Sequence, residues 1–467
     1  MKRITKILLA LLLSLAITQA EKRKEIERTI PTKRSDRIEL RGFASSKIDF
    51  RSWQKDEISV RLKIVVASSD ESYEDAYTQN VDLESTDKGG TLTVSLKQPS
   101  MTGRGGFSWS NLLRGRFNIT TSVDITGEIY LPRTNPLLLE AHYSSFSLED
   151  MSGDLTLEGK SSTIRLKNCS SLRSIDNDYG TTVVEQCGGN LRLASKSSNI
   201  TIDGFAGPSD IEADYATIKL HDAAADVHVK SKSATITVEH VGGDLTVEAD
   251  YSTLVVSDVK GFVDIHDQSG SIKVKSVEGI AVDALYSSVE VASVSGKSGK
   301  SLKVKGQSGR LELADVAGDL FIENPYSTMV LKNVKGNVEL SGQSATVSAE
   351  NITGNWKSRT SYSTLSVSGL SARLVDVTNK SNSVDIELIT MPTKVDIANE
   401  YGDVDVSLPG GFSGDVRLKA TYGNVRSNLP LEVESMGSGA IAIGKVGAGT
   451  ASLRVETTSA NVRVMQR

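Results

Sequence analysis

Five histidines, two cysteines and a recurring set of aspartates are the residues of this 467-residue sequence best suited to chemistry. His142, His221, His228, His240 and His266 make no metal-ligand spacing, so no metal site is expected from them. No G-x-S-x-G elbow, phosphate-binding P-loop or H-E-x-x-H helix occurs. Carbohydrate-cleaving β-helices need clustered carboxylates, whereas the aspartates here recur singly at regular intervals and read as turn residues. The expectation is no catalytic residue, no cofactor and no metal. Cys169 and Cys187 are the only cysteines, and the interval between them becomes meaningful once the repeat is drawn.

Aligned on its Ile/Val-rich runs, the sequence shows an apolar position at Met151, Cys169, Cys187, Phe205, Ala223, Val241, Val259 and Val277, evenly spaced along the chain. The series continues through Val294, Val316, Val334, Ile352, Leu370 and Ile389 at intervals of 17 to 22. Further apolar columns keep the same register, among them Ile200, Ile218, Ile236 and Leu254. Apolar spacing of two within a unit indicates strand, and wider gaps indicate corners. One corner column carries Gly189, Gly207, Gly243 and Gly261; another carries Asp150, Asn168, Asp222, Asp258, Asp315, Asn333 and Asn351, residue types that suit left-handed or Asx turns. The reading is an all-β chain, a parallel β-solenoid of about 18 residues per coil, with the right-handed form favoured by the handedness of parallel crossovers. A β-propeller would need inner and outer strands in unlike surroundings, but here the two half-repeats share one pattern.

Stacked coils place equivalent residues about 4.8 Å apart. Cys169 and Cys187 are then inward-facing neighbours within disulfide reach, and both a disulfide and two buried thiols fit. The column Lys160, Asp178, Lys196, Asp214, Lys232, Asp250 alternates in sign. This avoids like charges on adjacent strands and predicts a ladder of weak pairs. The next column alternates too, reading Tyr143, Ser161, Tyr179, Ser197, Tyr215, Ser233, Tyr251 and Ser269. The fold thus repeats with every coil and its surface chemistry with every second coil. Each tyrosine either folds over its corner or joins an aromatic track, with Tyr179, Tyr215 and Tyr251 the candidate ligand contacts. An outward Ser/Thr column containing Thr217 and Thr235 is flanked by Arg165 and Lys219, so it does not make a flat threonine face.

Residues 1–20, MKRITKILLALLLSLAITQA, combine three basic residues, an apolar run and small residues at Thr18 and Ala20. They read as a secretory signal rather than a membrane span, and no transmembrane segment is expected after its removal. Without them, 50 Lys and Arg face 58 Asp and Glu, a net charge of −8, which argues against nucleic acid as a partner. Residues 21–35 are charged and read as a linker. Residues 36–138 read as an N-terminal β domain capping residues 139–425, the solenoid. Residues 426–467 are Gly-rich and read as narrowing C-terminal coils or a cap. Within 100–117 a Gly/Ser loop holds Trp109 among arginines, a further candidate contact or a flap.

The segments YLPRTNPLLLEAHYSSFSLEDMSGDLTLEGKSSTIRL, LPGGFSGDVRLKATYGNVRSNLPLEV and GAGTASLRVETTSANVRV resemble the bacterial "putative adhesin" family of exported β-solenoids, a domain of unknown function. The resemblance implies export and no known enzyme activity, and it supplies no binding residues. The functional expectation is an exported, periplasmic or surface rod without enzymatic activity, displaying an extended surface to a polysaccharide or an envelope protein. The competing readings are an envelope scaffold or sensor component, and a polysaccharide-active β-helix enzyme.

The double period has a measurable consequence. Deletion of residues 215–250, two coils, is expected to leave a folded, shorter rod. Deletion of 215–232 alone brings like residues together and should lower the thermal midpoint further. Equal midpoints for the two deletions, read by circular dichroism, would reject the role of the alternation.

Overall fold

A computed structural model describes residues 21–69, 71–99, 121–297, 299–300 and 302–467. The expected signal segment 1–20 and the loop at 100–117 with Trp109 lie outside the described residues. The chain divides into two compact units, Met1–Ser147 and Leu148–Arg467. No helix among the described residues is long and apolar enough to cross a membrane.

The first unit contains strands β1 (Lys22–Pro31), β2 (Arg37–Arg41), β3 (Ser46–Trp53) and β4 (Glu57–Ser68), helix α1 (Glu71–Asn80), then β5 (Asp82–Lys88), β6 (Thr91–Lys97), β7 (Thr121–Pro132) and β8 (Leu137–His142). In β4, Ile58, Val60, Leu62, Ile64 and Val66 are buried in strict alternation, the period-two signature of a strand with one core face. Antiparallel partners flank it, β1 on one side and β7 on the other. Strand β7 also runs parallel to β3, and β2 runs parallel to both β6 and β8. Near the start of the helix, Glu74 accepts the backbone N–H of Ser68 at 2.7 Å.

The charged linker expected at 21–35 is corrected here, because most of it is β1, paired with β4 along its whole length. Charge hid the strand because only Ile26 is buried in it. Its backbone supplies the pairing, and charged side chains on a sheet edge discourage further strands from adding.

In the second unit each coil contributes two strands. The strand Thr217–Ala223 stacks parallel on Thr235–Val241, and Val227–Lys232 stacks on Leu245–Asp250. The register is the one expected from the apolar columns, with Cys187 opposite Phe205, Phe205 opposite Ala223, Ala223 opposite Val241 and Val241 opposite Val259. The parallel β-solenoid of about 18 residues per coil is therefore the observed fold of this unit. The apolar column ends differently from its expected course. Leu370 pairs with Leu388, after a register shift between Val367 and Leu370, while Ile389 is exposed. The alternation Val384, Ile386, Leu388 points inward, so Ile389 falls on the opposite side.

Two corners take a left-handed backbone on many of the coils. One holds Asp150, Asn168, Asp222, Asp258, Asp315, Asn333 and Asn351, at φ between 54° and 59°. Their side chains stack as well, with Asn333 Nδ2 donating to Asp315 Oδ1 at 2.9 Å and Asn351 Nδ2 to Asn333 Oδ1 at 3.2 Å. The glycine column marks a close backbone approach. A Cβ at Gly207 would stand 2.0 Å from the carbonyl oxygen of Gly189.

The lysine–aspartate alternation holds in register, Lys196 opposite Asp214 and Lys232 opposite Asp250. These residues form no close ion pairs; Asp214 instead accepts the backbone N–H of Lys232 at 3.0 Å. Backbone capping is geometrically fixed, whereas an exposed Lys–Asp pair must immobilise a long side chain for little gain.

The C-terminal residues are not simply narrowing coils. Strands Ala451–Thr457 and Val462–Gln466 insert between earlier strands. The first lies parallel to both Lys394–Tyr401 and Gly414–Ala420, and the second to Val404–Leu408 and Val425–Ser427. Gly439–Val446 then pairs antiparallel with Gly414–Ala420, and Glu434–Met436 antiparallel with Gly439–Val446.

Inside the corner that carries the tyrosines runs a polar column absent from the sequence reading. It includes buried Asn177, Ser195, Ser231, Asp267, Asn324, Asn379 and Asn399. Asn177, Asn379 and Asn399 donate to corner carbonyls, as Asn379 Nδ2 does to Ser363 O at 2.9 Å and Ser381 O at 2.8 Å, while Asn324 Oδ1 accepts from Ser327 Oγ at 2.8 Å. Asp267 accepts from Ser287 Oγ at 2.6 Å, but its Oδ1 has no partner. Burial pushes its carboxyl above the usual carboxylate range. The protonated acid suits the folded state, so its contribution is fully present below the unfolded Asp pKa of about 3.9 and fades as pH rises through the raised folded value. D267N should therefore match wild type in acid and exceed it near pH 7. Urea unfolding at about pH 3 and pH 7 measures the difference; an equal effect at both pH values would exclude titration of Asp267 as its source.

Candidate binding surface

The tyrosines expected to form an outward row do stand on one corner of the second unit, on alternate coils. Backbone hydrogen bonds hold each corner to the next coil, Tyr179 N–H to Lys196 O at 2.7 Å, Ser197 N–H to Asp214 O at 2.8 Å, and Tyr215 N–H to Lys232 O at 2.8 Å. Tyr179, Tyr215 and Tyr251 are 57%, 66% and 61% exposed. More than half of each residue's surface is therefore exposed to water. Tyr326 and Tyr362 continue the pattern, also exposed.

The backbone at these positions is unusual for tyrosine. Tyr179, Tyr215, Tyr251, Tyr326 and Tyr362 adopt φ values of 53° to 59°, and Ser161, Ser197, Ser233 and Ser344 on intervening coils adopt 50° to 53°. A left-handed residue costs an L-amino acid roughly 1–2 kcal/mol, and small polar types bear it best. Serine meets the requirement at Ser161, Ser197, Ser233 and Ser344, whereas Ser269, Tyr286 and Ser308 of the same column do not take the left-handed conformation. Tyrosine adds no turn-forming side chain, and more than half of each of the five residues stays exposed, so the turn itself gives no preference for tyrosine over serine. The sequence showed the alternation but not this conformation, because tyrosine and serine do not mark a left-handed turn as Asp, Asn and Gly do.

Around the row the charges are fixed by register. Asp178, Asp214 and Asp250 immediately precede the tyrosines, and Lys196 and Lys232 precede the intervening serines. Beside it, Glu212, Lys230, Glu248, His266 and Asp283 line a groove of about 820 Å³. The surface offers aromatic faces, hydrogen-bond acceptors and cations in a linear repeat.

Cys169 and Cys187 are both buried neighbours, as the register requires, and both are free thiols. The backbone N–H of Cys169 reaches Cys187 Sγ at 3.2 Å, and Gly188 N–H donates to Cys169 O at 2.8 Å. Hydrogen bonding to Cys187 and burial both push the Cys169 thiol well above its ordinary range.

The histidines depart from expectation. His221 and His240, which the spacing sets apart, meet across adjacent coils with rings in an edge-to-face arrangement and centroids 5.0 Å apart. His240 occupies the left-handed corner itself, at φ 56°, and His221 precedes the equivalent corner residue of the previous coil. The pair is offset by one position beyond the coil repeat, and a comparison of equivalent positions passes over it. Hydrogen bonding to Asp203 raises the pKa of His221 above the ordinary imidazole value. The remaining described histidines, His142, His228 and His266, contact carboxylates separately.

Comparison with known proteins adds a family. The family described as Toastrack DUF4097 matches residues 63–297 and again 174–465. Among solved structures, the chain is similar to a "putative cell adhesion protein" from Clostridium sporogenes, with 10% identity, 96% of this chain and 100% of that one covered, and a TM-score of 0.17. A "putative adhesin" from Parabacteroides merdae is also 10% identical, covering 77% of this chain and 98% of its own, with a TM-score of 0.17. No curated protein matches the chain.

The thiol pair provides a direct check of the stacking. Ellman's reagent is expected to find no reactive cysteine in the native chain and two per chain in denaturant without reductant. A reactive native thiol would reject the inward register, and absence of thiol in denaturant would show that the pair is bonded.

Proposed function

As this chain belongs to the Toastrack DUF4097 family, a domain of unknown function, we propose a role for it from its own surface: an exported, non-enzymatic binding rod that holds a linear polymer along its tyrosine row. The carrying observation is that exposed tyrosines occupy left-handed corners where serine serves equally well on the coils between. A conformational cost kept at repeated exposed positions points to a use outside the fold. Tyrosines two coils apart, about 9.6 Å, would meet a ligand that itself repeats, and flanking Asp178, Asp214 and Asp250 would accept its hydroxyl hydrogens. A polysaccharide meets both demands. Export fits this role. An envelope protein bound along the same row is the alternative that the experiment separates.

Weak contacts repeated along a rod combine through effective concentration. With about 1 kcal/mol for each aromatic contact, a single Tyr→Ser change should lower affinity only a few-fold. The triple variant Y179S/Y215S/Y251S should lower it by one to two orders of magnitude while remaining folded, since serine suits that corner. A glycan array run beside capture from envelope-protein fractions identifies the ligand class, and titration of the retained polymer measures the loss. Undiminished binding by the folded triple variant would reject the tyrosine row and direct attention to the segment around Trp109.

A further inference from the structure

At the corner opposite the tyrosines, His221, Asp222 and His240 bring one ligand atom each to within 4.8 Å of one another. We propose that these three residues bind a divalent transition-metal ion of the zinc class. His221 Nε2 and His240 Nδ1 are 3.2 Å apart. Two nitrogens bound at 2.0–2.1 Å around a tetrahedral metal lie about 3.3 Å apart, so little movement separates this arrangement from a chelate. Asp222 sits between them, its Oδ1 3.6 Å from His240 Nδ1 and its Oδ2 3.1 Å from His221 Nδ1.

The surrounding carboxylates select the right tautomers. Asp203 Oδ1 lies 3.2 Å from His221 Nδ1, and Asp258 Oδ2 lies 3.8 Å from His240 Nε2. A proton held on those outward nitrogens leaves His221 Nε2 and His240 Nδ1 with free lone pairs, the carboxylate–histidine–metal arrangement that orients ligands and raises their basicity. Asp203 and Asp258 are positioning residues in this scheme. The backbone is also fixed in advance, because Asp222 and His240 occupy consecutive left-handed corners, at φ 54° and 56°. Along that column the neighbours are Asp, Asn, Ser, Gln or Gly, and His240 alone among them is histidine.

Two imidazoles with one carboxylate favour Zn2+, Ni2+ or Cu2+ over Ca2+ and Mg2+, which take oxygen ligands. Three protein ligands leave coordination positions for an outside donor. His240 and Asp222 line a groove of about 820 Å³ that continues past Asp258, Ser276 and Lys297, so a ligand lying in that groove would have access to the ion.

The test uses the untagged chain, stripped with chelator and titrated with ZnCl2 at pH 7.5 by calorimetry, with bound metal counted by mass spectrometry. One Zn2+ per chain is expected, with no heat from CaCl2 or MgCl2 at the same concentrations. H240N and H221K should each lose stoichiometric binding. Both keep the fold by precedent, asparagine occupying that corner at Asn168 and Asn333, and lysine the preceding position at Lys167 and Lys275. D203N and D258N should weaken binding by roughly 10- to 100-fold, while H228N, which removes a histidine outside the cluster, should bind as wild type does. Absence of stoichiometric uptake by the wild-type chain, or unchanged affinity in folded H240N, would overturn the proposal.

Discussion

Parallel stacking in a fixed register governs the second unit. Each coil must offer its N–H and C=O groups where the next coil can meet them, so every coil must turn its corners at the same places with the same backbone. Buried backbone groups left unpaired are costly, and a one-residue slip would turn every inward side chain outward. Hence Asp222, His240 and Asp258 share a left-handed conformation although their side chains differ. Hence also Asn333 and Asn351, stacked on Asp315, can pass a hydrogen bond from coil to coil. The same rule makes the side chain of a neighbouring coil the nearest environment that any residue has.

That environment divides the unit into layers with different chemistry. Isoleucine, leucine and valine fill the centre, and a polar column of Asn, Ser and Asp lies under one corner, tying carbonyls that the sharp turn would otherwise leave unpaired. Outside that corner stand the tyrosines, and outside the opposite corner the two histidines with their carboxylates. The tyrosine and histidine groups are both built by juxtaposition between coils, with no loop inserted to hold them. A regular scaffold thereby positions side chains more closely than loops generally do.

Periodic apolar residues made the solenoid legible, because the same spacing recurs many times and each recurrence tests the last. The charged strand Lys22–Pro31 was not legible, since its stabilisation comes from backbone pairing with Glu57–Ser68 and only Ile26 announces a core face. The inward polar column was hidden for a related reason: Asn177 and Asn379 look like turn residues until their donors are seen to reach corner carbonyls from inside. At the candidate sites, the alternation of Tyr179, Tyr215 and Tyr251 was visible while their backbone conformation was not. His221 and His240 escaped because comparison at the coil period misses side chains that meet diagonally, from one position to the next on the coil above.

The inserted strands Ala451–Thr457 and Val462–Gln466 bear on the order in which this unit can be completed. Coils up to Val404–Leu408 can zip onto one another as the polypeptide is made, each closing on a finished edge. Gly414–Ala420 and Val425–Ser427 cannot, because their parallel partners are synthesised after them. Gly414–Ala420 can pair with Gly439–Val446 beforehand, but it and Val425–Ser427 join the waiting edge only when 451–466 slot between them and that edge. Vectorial growth therefore gives way to a final closure, and a polypeptide halted before residue 451 would leave Lys394–Tyr401 and Val404–Leu408 without the parallel partners that seal them.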